Sequence, residues 1–138
     1  MLERPEGRPK RIALLGLAVF FVGAGVNHFV NPDFYVRIMP PYLPAHLELV
    51  YLSGIFEVLG GVAVLFPKLR SRAGRGLILL LLAVFPANIH MAFHPGQFPE
   101  LAPLVLYARL PLQLLLIAWA YWATRPCVET AALETARD

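Results

Sequence analysis

Four long apolar runs, separated by short polar or proline-rich segments, dominate the pattern of this chain. The runs cover residues 12–30, 49–66, 76–93 and 101–124. A helix of about 20 residues rises far enough to cross the hydrocarbon core of a bilayer, so each run is long enough to be a membrane-spanning helix. The pattern therefore predicts an all-α integral membrane four-helix bundle in one domain, residues 12–124. It also predicts a polar N-terminal segment, residues 1–11, and a polar tail, residues 125–138.

The segment between the first two runs has a different character. Residues 31–46, NPDFYVRIMPPYLPAH, contain four prolines, which forbid one continuous helix. The apolar and aromatic residues of this segment, mixed with single charges, suit the boundary between membrane and water. We therefore expect a short interfacial helix followed by a proline-rich cap over the bundle, and we call residues 31–46 the cap. Its sequence fits either a mobile lid or a fixed cover.

Composition and charge support a membrane protein. Of the 138 residues, 58% are hydrophobic and 15% are charged, against about 25% charged residues in soluble domains. The net charge is +3, and the basic residues lie beside the apolar runs. We therefore expect the bilayer as partner and no nucleic acid. Cys127 is the single cysteine, which excludes an internal disulfide and a CxxC redox pair.

The basic residues also predict the topology. One side of the predicted bundle carries ten of them, whereas the two opposite connections carry Arg37 alone. By the positive-inside rule, both termini are expected in the cytoplasm, with the protein in a bacterial inner membrane. The ten are Arg4, Arg8, Lys10, Arg11, Lys68, Arg70, Arg72, Arg75, Arg125 and Arg137.

Glu57 is the first candidate for function because it lies near the middle of the second run. An ionisable group at that depth costs roughly 2.5–3.5 kcal/mol on insertion scales and is a functional-site hypothesis by default. Gly54, Glu57 and Gly61 follow i, i+3, i+7 spacing and share one helical face. Small residues on that face predict that the carboxylate points into the bundle rather than into lipid.

Every predicted span contributes a polar group to one layer, most of which lies in the outer half of the bundle, and together these groups predict an outward-facing pocket. Glu57 and Arg109 are the expected ion pair, either at the floor of this pocket or as a purely structural clasp. Three side chains, His28, Glu57 and His90, are candidate proton carriers in catalysis. The predicted ligand-binding residues are Asn27, His28, Glu57, Asn88, His90, Arg109 and Gln113.

Metal binding is a weaker alternative for the histidines. His90 and His94 have the i, i+4 spacing of a helical metal pair, and His28 could add a third ligand. Pro95 follows His94 directly, however, and no thiolate or second intramembrane carboxylate completes a site. A hydrogen-bonding or proton-carrying role is therefore the better prediction for these histidines.

The chain resembles the DoxX-like family of small four-helix bacterial membrane proteins. The segments that carry the resemblance are NHFVNPDFYVRIMPPYLP, SGIFEVLGG, FPANIHMA and RLPLQ, within residues 14–122. It implies a membrane four-helix bundle and an oxidoreductase-associated component that binds a quinone or another small lipophilic molecule, with a redox partner protein. No catalytic residue is carried over from the family.

Two other functions stay open from the sequence. The protein could be a non-catalytic membrane scaffold or assembly factor, in which the polar layer is only structural. It could also be a small-solute carrier. Four helices without an inverted repeat are a poor basis for alternating access, and a homo-oligomer through Gly23, Gly60 and Gly61 would be needed.

Overall fold

The computed structural model describes residues 7–125, which form helices and no strand. The predicted N-terminal segment before Gly7, Cys127 and the tail beyond Arg125 lie outside the described residues. The helices are α1 (Arg8–Val30), α2 (Pro32–Ile38), α3 (His46–Ala63), α4 (Pro67–Phe93) and α5 (Pro103–Thr124), with one 3-10 turn at Pro95–Gln97.

The four long helices are each long and apolar enough to cross a membrane, so the chain is a multi-pass membrane protein. Their outward faces carry large apolar side chains, as Leu104 and Leu79 illustrate with exposed fractions of 78% and 67%. Such a surface would be unfavourable in water and suits contact with lipid chains. The predicted all-α membrane four-helix bundle is confirmed.

Prolines determine where several helices begin. Pro32, Pro67 and Pro103 are the first residues of α2, α4 and α5, where a missing N–H removes no helical hydrogen bond. The basic stretch before the third apolar run is helical, because α4 begins at Pro67, ahead of residue 76 where that run starts. Arg70 in that first stretch donates from Nε to the Val64 carbonyl oxygen at 2.8 Å and fastens the short connection from α3.

The long helices form a closed ring in which α1 packs on α3, α3 on α4, α4 on α5, and α5 on α1. One buried cluster fills the end of the bundle that holds the start of α1 and the end of α5, and Leu17 and Leu77 are among its fully buried members. A second cluster fills the opposite end and consists of Ile38, Met91, Phe98 and Leu106. The space between these two clusters is available for a site.

Helices α1 and α3 cross with their backbones in close contact, as the small residues predict. A Cβ atom added at Gly54 would lie 2.9 Å from the carbonyl oxygen of Gly25. Gly61 and Gly60 are also used inside the bundle, against Phe21 and Leu77 respectively. Gly23 has open space beside it, so it is the member of the proposed oligomer set that the described bundle does not cover.

The cap forms a short helix, α2, and a turn that returns to α3, as predicted. Ile38 anchors the cap in the second buried cluster. Arg37 Nη2 lies 2.5 Å from Glu100 Oε1, beyond the 3-10 turn, and the guanidinium lies over the ring of the buried Phe98. Ala45, the last residue before α3, has a left-handed backbone with φ 50°. The cap is therefore joined to the ends of α4 and α5.

Candidate functional site

A cavity of about 530 Å³ lies between the long helices and under the cap. This volume falls within the roughly 300–1,000 Å³ that is typical of small-molecule sites. Most of the lining is apolar, and the cap contributes Met39, Pro40 and Leu43 to it. The polar side chains of the lining are His28, Tyr35, Ser53, Glu57, Asn88, Arg109 and Gln113.

Glu57 and His28 form the polar wall on the α1–α3 side, and each is 7% exposed. Nδ1 of His28 lies 3.3 Å from Oε2 of Glu57, but it also lies 2.8 Å from the Ala24 carbonyl oxygen. A carbonyl cannot donate, so Nδ1 carries a hydrogen and donates it to Ala24. Oε2 of Glu57 is consequently buried without a hydrogen bond from a described residue.

Tyr35 brings the cap into this wall. Its ring stacks on the His28 imidazole with centroids 3.9 Å apart and planes 18° apart. Its hydroxyl oxygen accepts a hydrogen bond from Nδ2 of Asn27 at 2.7 Å. The phenolic hydrogen is left to donate elsewhere. Asn27 therefore supports the site through Tyr35 and is not part of the cavity lining itself.

The opposite wall is a hydrogen-bonded chain between α4 and α5. Arg109 Nε donates to Oδ1 of Asn88 at 3.3 Å, and Nδ2 of Asn88 donates to Oε1 of Gln113. Nε2 of Gln113 then donates to the Leu81 carbonyl oxygen. Arg109 and Gln113 are one helical turn apart, which places both on the same face of α5. The side-chain amides of Asn88 and Gln113 each have one placement of oxygen and nitrogen that allows all of these hydrogen bonds.

The structure does not form the expected ion pair between Glu57 and Arg109. Within the described residues 7–125, the Glu57 carboxyl group lies beside the imidazole of His28, and no carboxylate oxygen lies within 4.0 Å of the Arg109 guanidinium. The reason is geometric, because Glu57 and His28 belong to the tightly crossed α1–α3 pair, whereas Asn88 of α4 engages Arg109. The clasp between the second and fourth spans is therefore absent.

His90 and His94 lie apart from the cavity lining. Their rings stack with centroids 4.2 Å apart, and Nδ1 of His94 donates to the His90 carbonyl oxygen at 2.8 Å. His28 points to a different place, at Glu57. In the part of the chain that the structure describes, no three metal-ligating side chains of His, Cys, Asp or Glu converge. The predicted set His28, His90 and His94 is thus not brought together.

Residues 17–124 match the model of a family described as a domain of unknown function, DUF8561. The chain belongs to this family. The match includes α2, α3, α4 and α5 entirely, together with the part of α1 that carries His28. No curated protein and no solved structure matches the chain.

The DUF8561 fold brings to the cavity five of the seven side chains that were predicted from sequence, namely His28, Glu57, Asn88, Arg109 and Gln113. Sequence reasoning missed Tyr35 and Ser53. Ser53 precedes Glu57 by one helical turn, so helical spacing alone could have identified it. Tyr35 could not be found in this way, because the chain changes direction between α1 and α2 before it reaches the cavity.

The two walls offer different chemistry. The α1–α3 wall holds a carboxyl group, an imidazole and a phenol, which can accept, donate and relay protons. The α4–α5 wall holds a guanidinium and two oriented amides, which suit an oxygen acceptor. The apolar lining between them would contact a lipophilic body. The site can therefore hold an apolar molecule with a polar head inside the membrane.

Proposed function

We propose that this protein binds a small lipophilic molecule in the cavity under the cap. The observation that carries the proposal is a cavity of suitable volume with two polar walls and an otherwise apolar lining. Polar groups inside a bilayer are expensive and usually mark a functional site. A ligand with a polar head would offset this cost, most directly at the unpaired Oε2 of Glu57 and at the Arg109 guanidinium.

The narrower form of the proposal is an oxidoreductase-associated component that binds a quinone. The resemblance of the sequence to the DoxX-like family supports this form. His28 and Glu57, which lie 3.3 Å apart on the cavity wall, would accept and release the protons that accompany quinone reduction. Electrons would come from a redox partner protein. Placement in a bacterial inner membrane with cytoplasmic termini is part of the same proposal.

Native mass spectrometry of the full chain, purified gently from its own membrane, tests the proposal. We expect a retained small molecule whose occupancy falls in Glu57→Gln and in Ser53→Phe, which fills the cavity from α3. His90→Ala is the matched control, because His90 lies outside the cavity lining. Circular dichroism and melting temperature establish that each variant is folded.

The outcome also separates the alternatives. A folded wild-type protein without any bound molecule, and without binding of added lipophilic probes, would contradict the proposal and favour the scaffold. Loss of ligand in the His90→Ala control as well would also contradict it, since the cavity would then not be the site. Reporter fusions at the two termini test the orientation. We expect a cytoplasmic signal from the fusion at each terminus.

A further inference from the structure

Arg109 has no acidic partner in the described part of the bundle. Among the described residues 7–125, the carboxyl group of Glu57 lies beside the His28 imidazole, and that of Glu100 pairs with Arg37. A guanidinium stays protonated in proteins, so Arg109 is a cation on the cavity wall that has no counterion among residues 7–125.

The hydrogen bonds that Asn88 makes with Gln113 and Arg109 determine which N–H groups of Arg109 remain available to a ligand. Oε1 of Gln113 accepts a hydrogen bond from Nδ2 of Asn88, so the Asn88 oxygen is turned to Nε of Arg109. This contact uses one of the five guanidinium N–H groups. The Nη groups have no hydrogen-bond acceptor among the described residues, and the side chain lines the cavity. They form a fork of donors that matches a carboxylate or a phosphate.

We infer that the ligand of this cavity is a lipophilic anion, whose carboxylate or phosphate head pairs with Arg109 and whose apolar body occupies the rest of the cavity. The inference rests on the broader form of the proposed function, a small lipophilic ligand, and it selects an anionic head group over the neutral head of a quinone. Glu57 does not compete for this role, because it lies on the α3 wall in contact with His28. A neutral ligand would leave the charge of Arg109 without compensation inside the membrane.

The inference is tested with four probes of one chain length, and with decylubiquinone as a fifth, neutral probe, on the full protein in phosphatidylcholine nanodiscs. The probes are dodecanoate, dodecyl phosphate, dodecanol and dodecyltrimethylammonium, and the readouts are the rise in melting temperature and the dissociation constant from calorimetry. We expect an anionic probe to bind most tightly. A preference for dodecanoate indicates a free carboxylic acid as source of the head, and a preference for dodecyl phosphate indicates a phospholipid-derived headgroup.

Two variants assign the anion to Arg109. Arg109→Gln is expected to weaken binding of the preferred anion by roughly tenfold to a hundredfold, since hydrogen bonds between ions are about twice as strong as neutral ones. Asn88→Asp supplies an internal carboxylate at the position that already contacts Nε, and it should weaken anion binding similarly without removing the arginine. Arg37→Gln is the control, because Arg37 is exposed and not part of the lining.

Four results would overturn the inference. Equal binding of dodecanol and dodecanoate to the wild type would contradict an anionic ligand, and so would tighter binding of decylubiquinone than of both anions. In either case, weaker binding of that neutral probe to the Ser53→Phe variant would still support the proposed function. Unchanged anion affinity in folded Arg109→Gln and Asn88→Asp would also overturn it. Failure of every probe, with no retained native ligand, would contradict both.

Discussion

Gly25 of α1 and Gly54 of α3 meet backbone to backbone. A Cβ atom built on Gly25 would lie 2.7 Å from the Gly54 carbonyl oxygen, and one built on Gly54 would lie 2.9 Å from the Gly25 carbonyl oxygen. The same added atom on Gly54 would lie 2.9 Å from the Cβ of His28. This crossing therefore determines how closely His28 approaches Glu57, and the packing of α1 on α3 positions one wall of the cavity.

Gly54→Ala is predicted to destabilise the bundle by about 1–3 kcal/mol, because the new methyl group meets backbone atoms that cannot move independently. Gly23→Ala is the matched control on α1, since no atom lies within 4 Å of the added Cβ. Alanine also favours a helix over glycine by roughly 0.5–1 kcal/mol, so the control should be neutral or slightly stabilising. Unfolding titrations in mixed detergent micelles measure both, and equal effects would contradict the close crossing.

Gln113→Leu is predicted to destabilise the protein by about 1–3 kcal/mol. Gln113 is 2% exposed and holds both Asn88 and the Leu81 carbonyl, and leucine would leave these partners unsatisfied. The same replacement at the exposed Gln97, in the 3-10 turn, is the control and should change stability little. Chemical unfolding of the two variants measures the difference. A Gln113→Leu protein as stable as the control would show that the hydrogen bonds between α4 and α5 contribute nothing to stability.

His28 and Glu57 are predicted to be energetically coupled. In a double-mutant cycle with His28→Ala and Glu57→Gln, we expect an interaction free energy of roughly 0.5–3 kcal/mol, since contacting buried groups are not additive. The stacking of His28 on Tyr35 is lost in both arms that contain His28→Ala, so the cycle cancels it. Stability measurements on the four proteins give the value. Additive effects would mean that the 3.3 Å approach has no energetic consequence.

The Arg37–Glu100 pair outside the membrane-spanning segments predicts a pH dependence. A hydrogen bond from the backbone of Glu100 and then the Arg37 guanidinium lower the pKa of the Glu100 carboxyl below its usual value. A carboxyl whose folded pKa is depressed stabilises the fold above its unfolded pKa, and this contribution disappears as the pH falls through the folded pKa.

At pH 7 we therefore expect the wild type to melt at a higher temperature than Glu100→Gln. The two melting temperatures should converge as the pH falls into the range below an ordinary glutamate pKa. The pair is half exposed, with side-chain exposed fractions of 49% and 45%, so the difference should be small and should shrink in high salt. Melting curves of both proteins across this pH range provide the test. A difference that grows on acidification would contradict the sign.

The polar residues of the site differ in how far the sequence predicts them. Glu57 is identifiable because a carboxylate inside an apolar run is costly in lipid and seldom kept without a function. Arg109 and Gln113 follow from helical spacing on one run. Their partners do not follow, because helical periodicity describes one helix at a time. His28, rather than Arg109, meets Glu57 because glycines let α1 approach α3, and this depends on how two helices cross.

The sequence by itself determined the number of spanning helices, the helical cap and the residues that are costly in lipid, since these follow from local hydrophobicity and proline chemistry. It placed the start of α4 too late, because charged residues can extend a helix beyond the hydrocarbon region. Only the tertiary structure decided the pairing of the polar groups, the entry of Tyr35 from the cap, and the absence of an acidic partner for Arg109 among the described residues. These features depend on interhelical distances, which the packing of side chains from remote parts of the chain sets.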